Sequence, residues 1–431
     1  MNTDELVHLL RRTEYVAKPD RVAALSGMTR AQAVDDILSV GASPAVPDYL
    51  LTDVSGQEYQ QFVFATQWWL DRMVDGTRPM QERMTLFWHG HFCSGWDKVF
   101  SMKALASQNK VFRDNALGNF RTLARAASLH PALLLYLDNQ ENVDYSPNQN
   151  FARELMELFL LGVGNYTEDD VVASARAWTG HGIDWTTMSY QFHSWDHDAG
   201  NKTFMGVTRA WDGPEIIDHI LLTNTTTRMT ACRFLTRKLW AYLAGDAPSD
   251  ALVTRLAQVL YDNNLEMLPW VRALLVSDEF YATSARTGLV RSPIDFVVAV
   301  MHFTGYRAAA LNPQWYLQGM GQQPFLPPNV AGWRTNDYWT NASAFESRGE
   351  FARYTTWQLR ANNANNIGAG RTADQTVDAL AAMFGLQLAT PTRAALVDYV
   401  NVQRVAEPWV GWWEATNLLT MGMLTPEFHV A

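Results

Sequence analysis

Apolar residues return every three or four positions along most of the chain, a period that predicts helices in close succession. Thr3 to Arg12, Ala31 to Ser39 and Gln57 to Val74 carry it first, the last with Trp68 and Trp69 near its middle. Pro79 opens a helix reaching about Trp88, Phe120 to Leu129 is another, and Pro131 opens a short one to Leu137. Two core helices follow over 148–162 and 168–178. The period resumes at Glu215 to Leu222, Thr227 to Leu243, Asp250 to Tyr261, Met267 to Ser277 and Pro293 to Phe303. Phe351 to Arg360, Thr372 to Met383, Arg393 to Val402 and Trp409 to Met421 close the chain.

Two stretches break the pattern. Tyr190 to Val207 has few helix formers and a Gly-Asn pair, which reads as a small hairpin or long loop. Pro324 to Tyr338, rich in proline, reads as an ordered irregular loop. The expected fold is mainly α, a large multi-helical, bundle-like domain with a small β-hairpin or irregular loop around 190–207. The Asn-rich run at 362–370 is the expected boundary between a main domain, 1–361, and a small C-terminal helical extension, 371–431, packed on it.

The stretch from Asn148 to Gly180 is the most constrained. Asn148 or Asn150 can cap the first helix, and Gly162 and Gly164 supply left-handed residues to end it. Thr167 then opens the second, with Asp170 completing a capping-box arrangement. On a 3.6-residue wheel, only Arg153, Glu154 and Glu157 interrupt an apolar surface between Phe151 and Leu161, so the helix is expected to be buried. Glu154 falls between Leu158 and Leu161 and needs a partner there. One reading is an ion network with Arg153 or Arg176; the other is a pair of acids three apart serving as metal ligands or as acid and base.

These residues carry a resemblance. Asn150-Phe-Ala-Arg-Glu-Leu-Met-Glu-Leu-Phe159, the Gly162-Val-Gly164 turn, Tyr166-Thr-Glu168 and Ala175-Arg-Ala-Trp-Thr-Gly180 closely resemble the core signature of the DUF1800 family, bacterial proteins of unknown function. Leu9-Leu-Arg-Arg12, Arg83 to Phe92, Leu117-Gly-Asn-Phe120, Tyr136-Leu-Asp138, His197-Asp198 with Lys202 to Gly206, and Pro327 to Trp333 follow in the family's order. The resemblance brings no catalytic residue with it. It implies two habits: export by the twin-arginine route, and a gene neighbour of the DUF1501 type, which looks like alkaline phosphatases and sulfatases and is therefore an expected protein partner. Arg11-Arg12 is followed by Thr-Glu-Tyr rather than an apolar run, so the expected location is the cytoplasm.

The bulk numbers narrow the class. At 431 residues and 48 % hydrophobic, the chain can bury a large core. A net charge of -10 argues against nucleic acid or an anionic membrane surface as partner. No apolar run is long enough for a membrane span. Cys93 and Cys232 have no metal-ligand spacing and read as buried thiols, with a single disulfide as the other option. Of the 17 tryptophans, Trp68, Trp69, Trp178, Trp240, Trp412 and Trp413 sit inside helical patterns and are expected in the core, which leaves an aromatic-lined glycan binder as a minor reading.

The remaining chemistry lies in histidines. His89 and His91 share a face only if Gly90 breaks the helix that carries them; otherwise they are ordinary core histidines. Asp196-His197-Asp198, with His193 before and Lys202 after, crowds titratable groups into one loop, and His181 belongs to that neighbourhood or caps the preceding helix as a cation. Nucleophile-elbow, Walker, dinucleotide and His-Glu-x-x-His patterns do not occur. The expected function is metal-assisted hydrolysis of a small or polymeric substrate. His89, His91, Glu154 and His197 are the expected ligands for zinc, manganese or iron, Glu157 or Asp198 the general base, and Asn329 with Trp333 a substrate wall. The rival is a non-catalytic binding or assembly protein.

Overall fold

A computed structural model describes residues 1–39, 41–245, 247–361, 367–406 and 411–430 of the chain; the side chains at 360–361 and 411–414, Trp412 and Trp413 among them, lie outside the described residues. The protein is mainly α, with two small antiparallel hairpins as its strands among the described residues. Helix starts follow local chemistry. Asn2 with Glu5, Thr29 with Gln32, Thr167 with Asp170, Asp212 with Glu215 and Thr372 with Gln375 form capping boxes. Proline occupies the first turn at Pro79, Pro131, Pro293 and Pro426.

The helix Pro79–His91 runs through the centre, with every residue from Met80 to His89 buried. It packs against the helices Thr3–Glu14, Glu58–Asp75 and Met102–Asp114. The last of these is a helix the pattern reading passes over; Ser101 caps it through the Ala104 amide. Two charges on the central helix need compensation at that depth. Glu82 receives Arg113 at 2.8 and 2.9 Å and the Trp69 indole at 2.9 Å. Arg83 meets Asp295 at 2.5 Å and lies over the Tyr15 ring.

Gly90 does not break this helix, which continues to His91. The glycine that the close approach requires is Gly332 of the proline-rich loop, at φ +79°, where a Cβ would stand 2.3 Å from the Gly90 carbonyl oxygen. His89 and His91 therefore diverge.

The signature helix also departs from the wheel. Gln149–Glu154 is α-helical, but Leu155–Leu160 is a π-turn, closed by the Leu161 amide on the Met156 carbonyl at 2.8 Å. Bonds from i to i+5 insert an extra residue per turn, so positions beyond Leu155 rotate away from their 3.6-residue places. Glu157, inside the π-turn, and Glu154, just before it, are both only half-buried. Gly162 and Gly164 do take positive φ, 82° each, as the turn requires.

The 190–207 region holds more strand than expected. His181–Asp184 pairs with Ser189–Phe192, and Lys202–Phe204 with Val207–Arg209. The tip of the second hairpin is Met205-Gly206, both at positive φ, rather than Gly200-Asn201. Cys93 and Cys232 are buried free thiols. Trp69, Trp178 and Trp240 are buried and Trp68 half-buried. Among the described residues no helix is long and apolar enough to cross a membrane.

The expected boundary at 362–370 falls largely outside the described residues. The C-terminal helices beyond it touch the body at several points. Arg11 donates to the Gly385 carbonyl at 2.7 Å, Arg291 to that of Phe428 at 2.9 Å, and Arg348 lies 2.7 Å from the His429 ring.

Candidate metal centre

The loop leaving the helix Glu168–Ala177 is closed by backbone geometry that only glycine meets. Gly180 sits at φ +74°, its amide donates to the Asn142 carbonyl at 2.9 Å, and its carbonyl accepts the His193 amide at 2.7 Å. A Cβ there would stand 2.5 Å from the His193 oxygen and 3.1 Å from the His197 Cβ. Two buried asparagines brace the same loop, Asn139 donating to the Trp178 and His181 carbonyls and Asn142 to that of Ala175. The first hairpin starts immediately after, which fixes His181 opposite Phe192.

A third segment arrives from the far side of the second hairpin. Asp212 caps the helix Gly213–Asp218, and Gly213 lets it lie against the Trp178 indole, where a Cβ would be only 2.6 Å away. Asp212 Oδ1 is 2.9 Å from His181 Nε2, and His181 Nδ1 is 2.9 Å from the Tyr190 hydroxyl. His197 turns its Nδ1 to the Thr179 carbonyl at 2.8 Å. A carbonyl accepts only, so Nδ1 carries the proton and Nε2 keeps its lone pair. One ligating atom from each of His181, His197 and Asp212 lies within 4.8 Å of the others. Among the described residues this is the group of three or more such side chains with spacing fit for an ion.

The electrostatics suit a cation. Burial by itself pushes the Asp212 carboxyl up, but the hydrogen bond from His181 and the electrostatic attraction of the two neighbouring imidazoles outweigh it and hold the group below its usual range. His181 is buried, while His197 and Asp212 are half-buried. Phe192, 40 % exposed, packs on both imidazoles at 5.0 and 5.2 Å. Trp195, 71 % exposed, stacks on His193 beside them.

The other residues singled out in the sequence lie elsewhere or are otherwise engaged. His89 accepts the Phe325 amide at 3.0 Å inside a cage of Trp69, Phe325 and Trp333, and burial lowers it to about 3. His91 lies 2.9 Å from the Phe159 carbonyl, at the C-terminal end of the π-turn. Glu157 accepts the Tyr166 hydroxyl at 2.5 Å. Glu154 is raised by burial and then by the charge of Glu157, and it stays apart from any histidine cluster among the described residues. Asp198 is taken by Arg176 at 2.6 Å and the Gly200 amide at 2.8 Å; burial raises its carboxyl, but these donors bring it below its usual range. Lys202 donates to the Asp198 and Trp211 carbonyls. Asn329 is exposed and holds a turn through the Ala331 amide, whereas Trp333 lines a cavity.

His197 and His181 thus join in a cluster without His89, His91 or Glu154. The third member, Asp212, carries no ligand signal in sequence, because Asp-Gly-Pro-Glu reads simply as a helix start. Its only hint is Gly213, needed where the chain passes Trp178. No curated protein and no solved structure matches the chain. The family described as "Protein of unknown function (DUF1800)" matches residues 8–430, nearly the whole length, and the chain belongs to that family.

Proposed function

We propose that this protein is a metal-dependent hydrolase whose centre is His181, His197 and Asp212. The observation that carries the reading is the orientation of His197. Its Nδ1–H is pinned by the Thr179 carbonyl, no hydrogen bond engages its Nε2 among the described residues, and the Asp212 carboxylate already holding His181 is its neighbour. A second atom that fixes the tautomer of a ligating imidazole is the usual support of a metal-bound histidine. His181 is held differently: its Nε2–H donates to the Asp212 carboxylate, which leaves Nδ1 to accept from the Tyr190 hydroxyl.

Two imidazoles and one carboxylate are a donor set for zinc, manganese or iron, and three protein ligands leave a position for water. A metal there lowers the pKa of that water towards about 7 and supplies the nucleophile for an ester, amide or phosphate. Phe192, packed on both imidazoles, and Trp195, stacked on His193, are exposed aromatic faces, which favours a ring-bearing or polymeric substrate over a small ion. Asp198, bound to Arg176, serves to tie the loop to the preceding helix and not as the base.

The test is metal content by plasma mass spectrometry after loading with zinc, manganese or iron and desalting. Hydrolysis of p-nitrophenyl acetate and p-nitrophenyl phosphate is followed in parallel. About one ion per folded chain is expected, lost in His197→Ala and Asp212→Asn together with any hydrolysis. Folded wild-type protein that retains none of the three metals ends this reading; retained metal without hydrolysis of any ester keeps the centre and removes the reaction.

A further inference from the structure

A cavity of about 220 Å³ lies under the proline-rich loop, lined by none of His181, His197 and Asp212. Its walls come from the central helix, the helix Thr225–Leu243, the start of the helix Pro293–Thr304 and the loop itself. Leu86, Phe87, Leu289, Trp333 and Trp339 make it largely apolar. Most of its polar groups are already engaged. Asp295 is paired with Arg83 at 2.5 Å, Ser292 accepts the Asp295 amide, Gln322 accepts the Ile294 amide and Tyr242 donates to the Arg83 carbonyl.

Lys238 is the exception. It has no carboxylate within ion-pair distance among the described residues; its ammonium lies 5.3 Å from the centre of the Phe234 ring and makes a 3.3 Å hydrogen bond to the Leu158 carbonyl. An ammonium has three donors, so two remain. Arg334 lines the mouth of the same cavity and adds a second positive charge. His91, also in the wall, keeps a buried Nδ1 without a partner. The Phe234 ring and one carbonyl offset only part of that charge, and an anion in the apolar chamber would take up the spare donors.

We propose that this cavity is a binding site for an organic monocarboxylate with an apolar body, its carboxylate on Lys238 and its ring or chain against Trp333 and Phe87. The chemistry excludes the alternatives that share the shape. A neutral alcohol of the same size forgoes the charged hydrogen bond, and an amine meets Lys238 and Arg334 with like charge. Lys238 also serves the end of the π-turn through Leu158, so a variant must separate support of the fold from capture of a ligand.

The experiment is calorimetric titration of the full chain with benzoate, benzyl alcohol and benzylamine, repeated on Lys238→Met and Lys238→Arg. Saturable benzoate binding is expected, about tenfold or more tighter than benzyl alcohol and absent for benzylamine. Lys238→Met should lose benzoate binding by about tenfold or more while Lys238→Arg keeps part of it. The proposal is overturned by wild-type protein with no saturable benzoate binding up to about 10 mM, by equal binding of benzyl alcohol, or by unchanged binding in Lys238→Met. The comparison of the three ligands on wild-type protein decides the matter even if Lys238→Met does not fold.

Discussion

Lys238 holds its ammonium against the end of the signature helix, and burial lowers its pKa to about 8. An unfolded lysine titrates near about 10.4. Between pH 8 and that value the unfolded chain keeps a proton that the folded chain has released, so stability contributed by this site rises with pH through the window. Below pH 8 the cost of burying the charge is fully present. Lys238→Met removes that cost and also the Leu158 hydrogen bond, whose loss does not depend on pH over this range. The stability of the variant relative to wild type is therefore expected to fall steadily from pH 8 to pH 10, measured by urea unfolding at several pH values. A constant difference would show that Lys238 titrates as an exposed lysine does.

Elements bring the candidate ligands together through two glycines. At Gly180 a side chain meets both a positive φ and the His193 carbonyl; at Gly213 it meets the Trp178 ring. Gly180→Ala is expected to cost about 1–3 kcal/mol of stability. It should also weaken metal binding by pushing His197 away, although no ligand has changed. Metal titration of the folded variant against wild type measures this; equal affinity would mean that the loop absorbs the change without moving His197. The π-turn is the second device at this scale. By ending the signature helix early it presents the Leu158 and Phe159 carbonyls to Lys238 and His91, groups that a regular helix end leaves for water or caps.

At the scale of the whole molecule, several histidines are buried in neutral form. His8, His89 and His429 are each lowered to about 3, first by burial, with nearby arginines adding to it at His8 and His429. An unfolded histidine takes up a proton near about pH 6.5. As pH falls below that value the unfolded chain binds protons that the folded chain refuses, so stability drops, by at most about 1.4 kcal/mol per pH unit for each such histidine. Carboxylates contribute mainly nearer pH 4, which leaves the interval from 6.5 to 5 to the histidines. Urea unfolding at pH 7, 6 and 5 should show a steady loss, reduced in slope in His89→Gln. Stability that is flat over this interval would contradict the neutral burial of these rings. The C-terminal helices share this behaviour with the body, since His429 packs against Phe296 and Arg348.

Local chemistry was legible in the chain. The capping box of Thr167 and Asp170, the prolines that open helices and the left-handed Gly162 and Gly164 each depend on neighbours within a few residues, and each appears as expected. The helical period likewise determined the mainly α fold. It did not determine the π-turn, because a 3.6-residue wheel assumes the hydrogen-bond pattern that the turn replaces. Nor did it pair His181 with Asp212, 31 residues apart and separated by two hairpins. His89 and His91 show the same limit: their spacing is local, but Gly90 stays inside the helix, and each ring meets different elements, His89 the Phe325 amide and His91 the Phe159 carbonyl. Sequence period reports the face a residue takes on its own element, whereas convergence of ligands depends on how elements pack, and only the tertiary structure decided that.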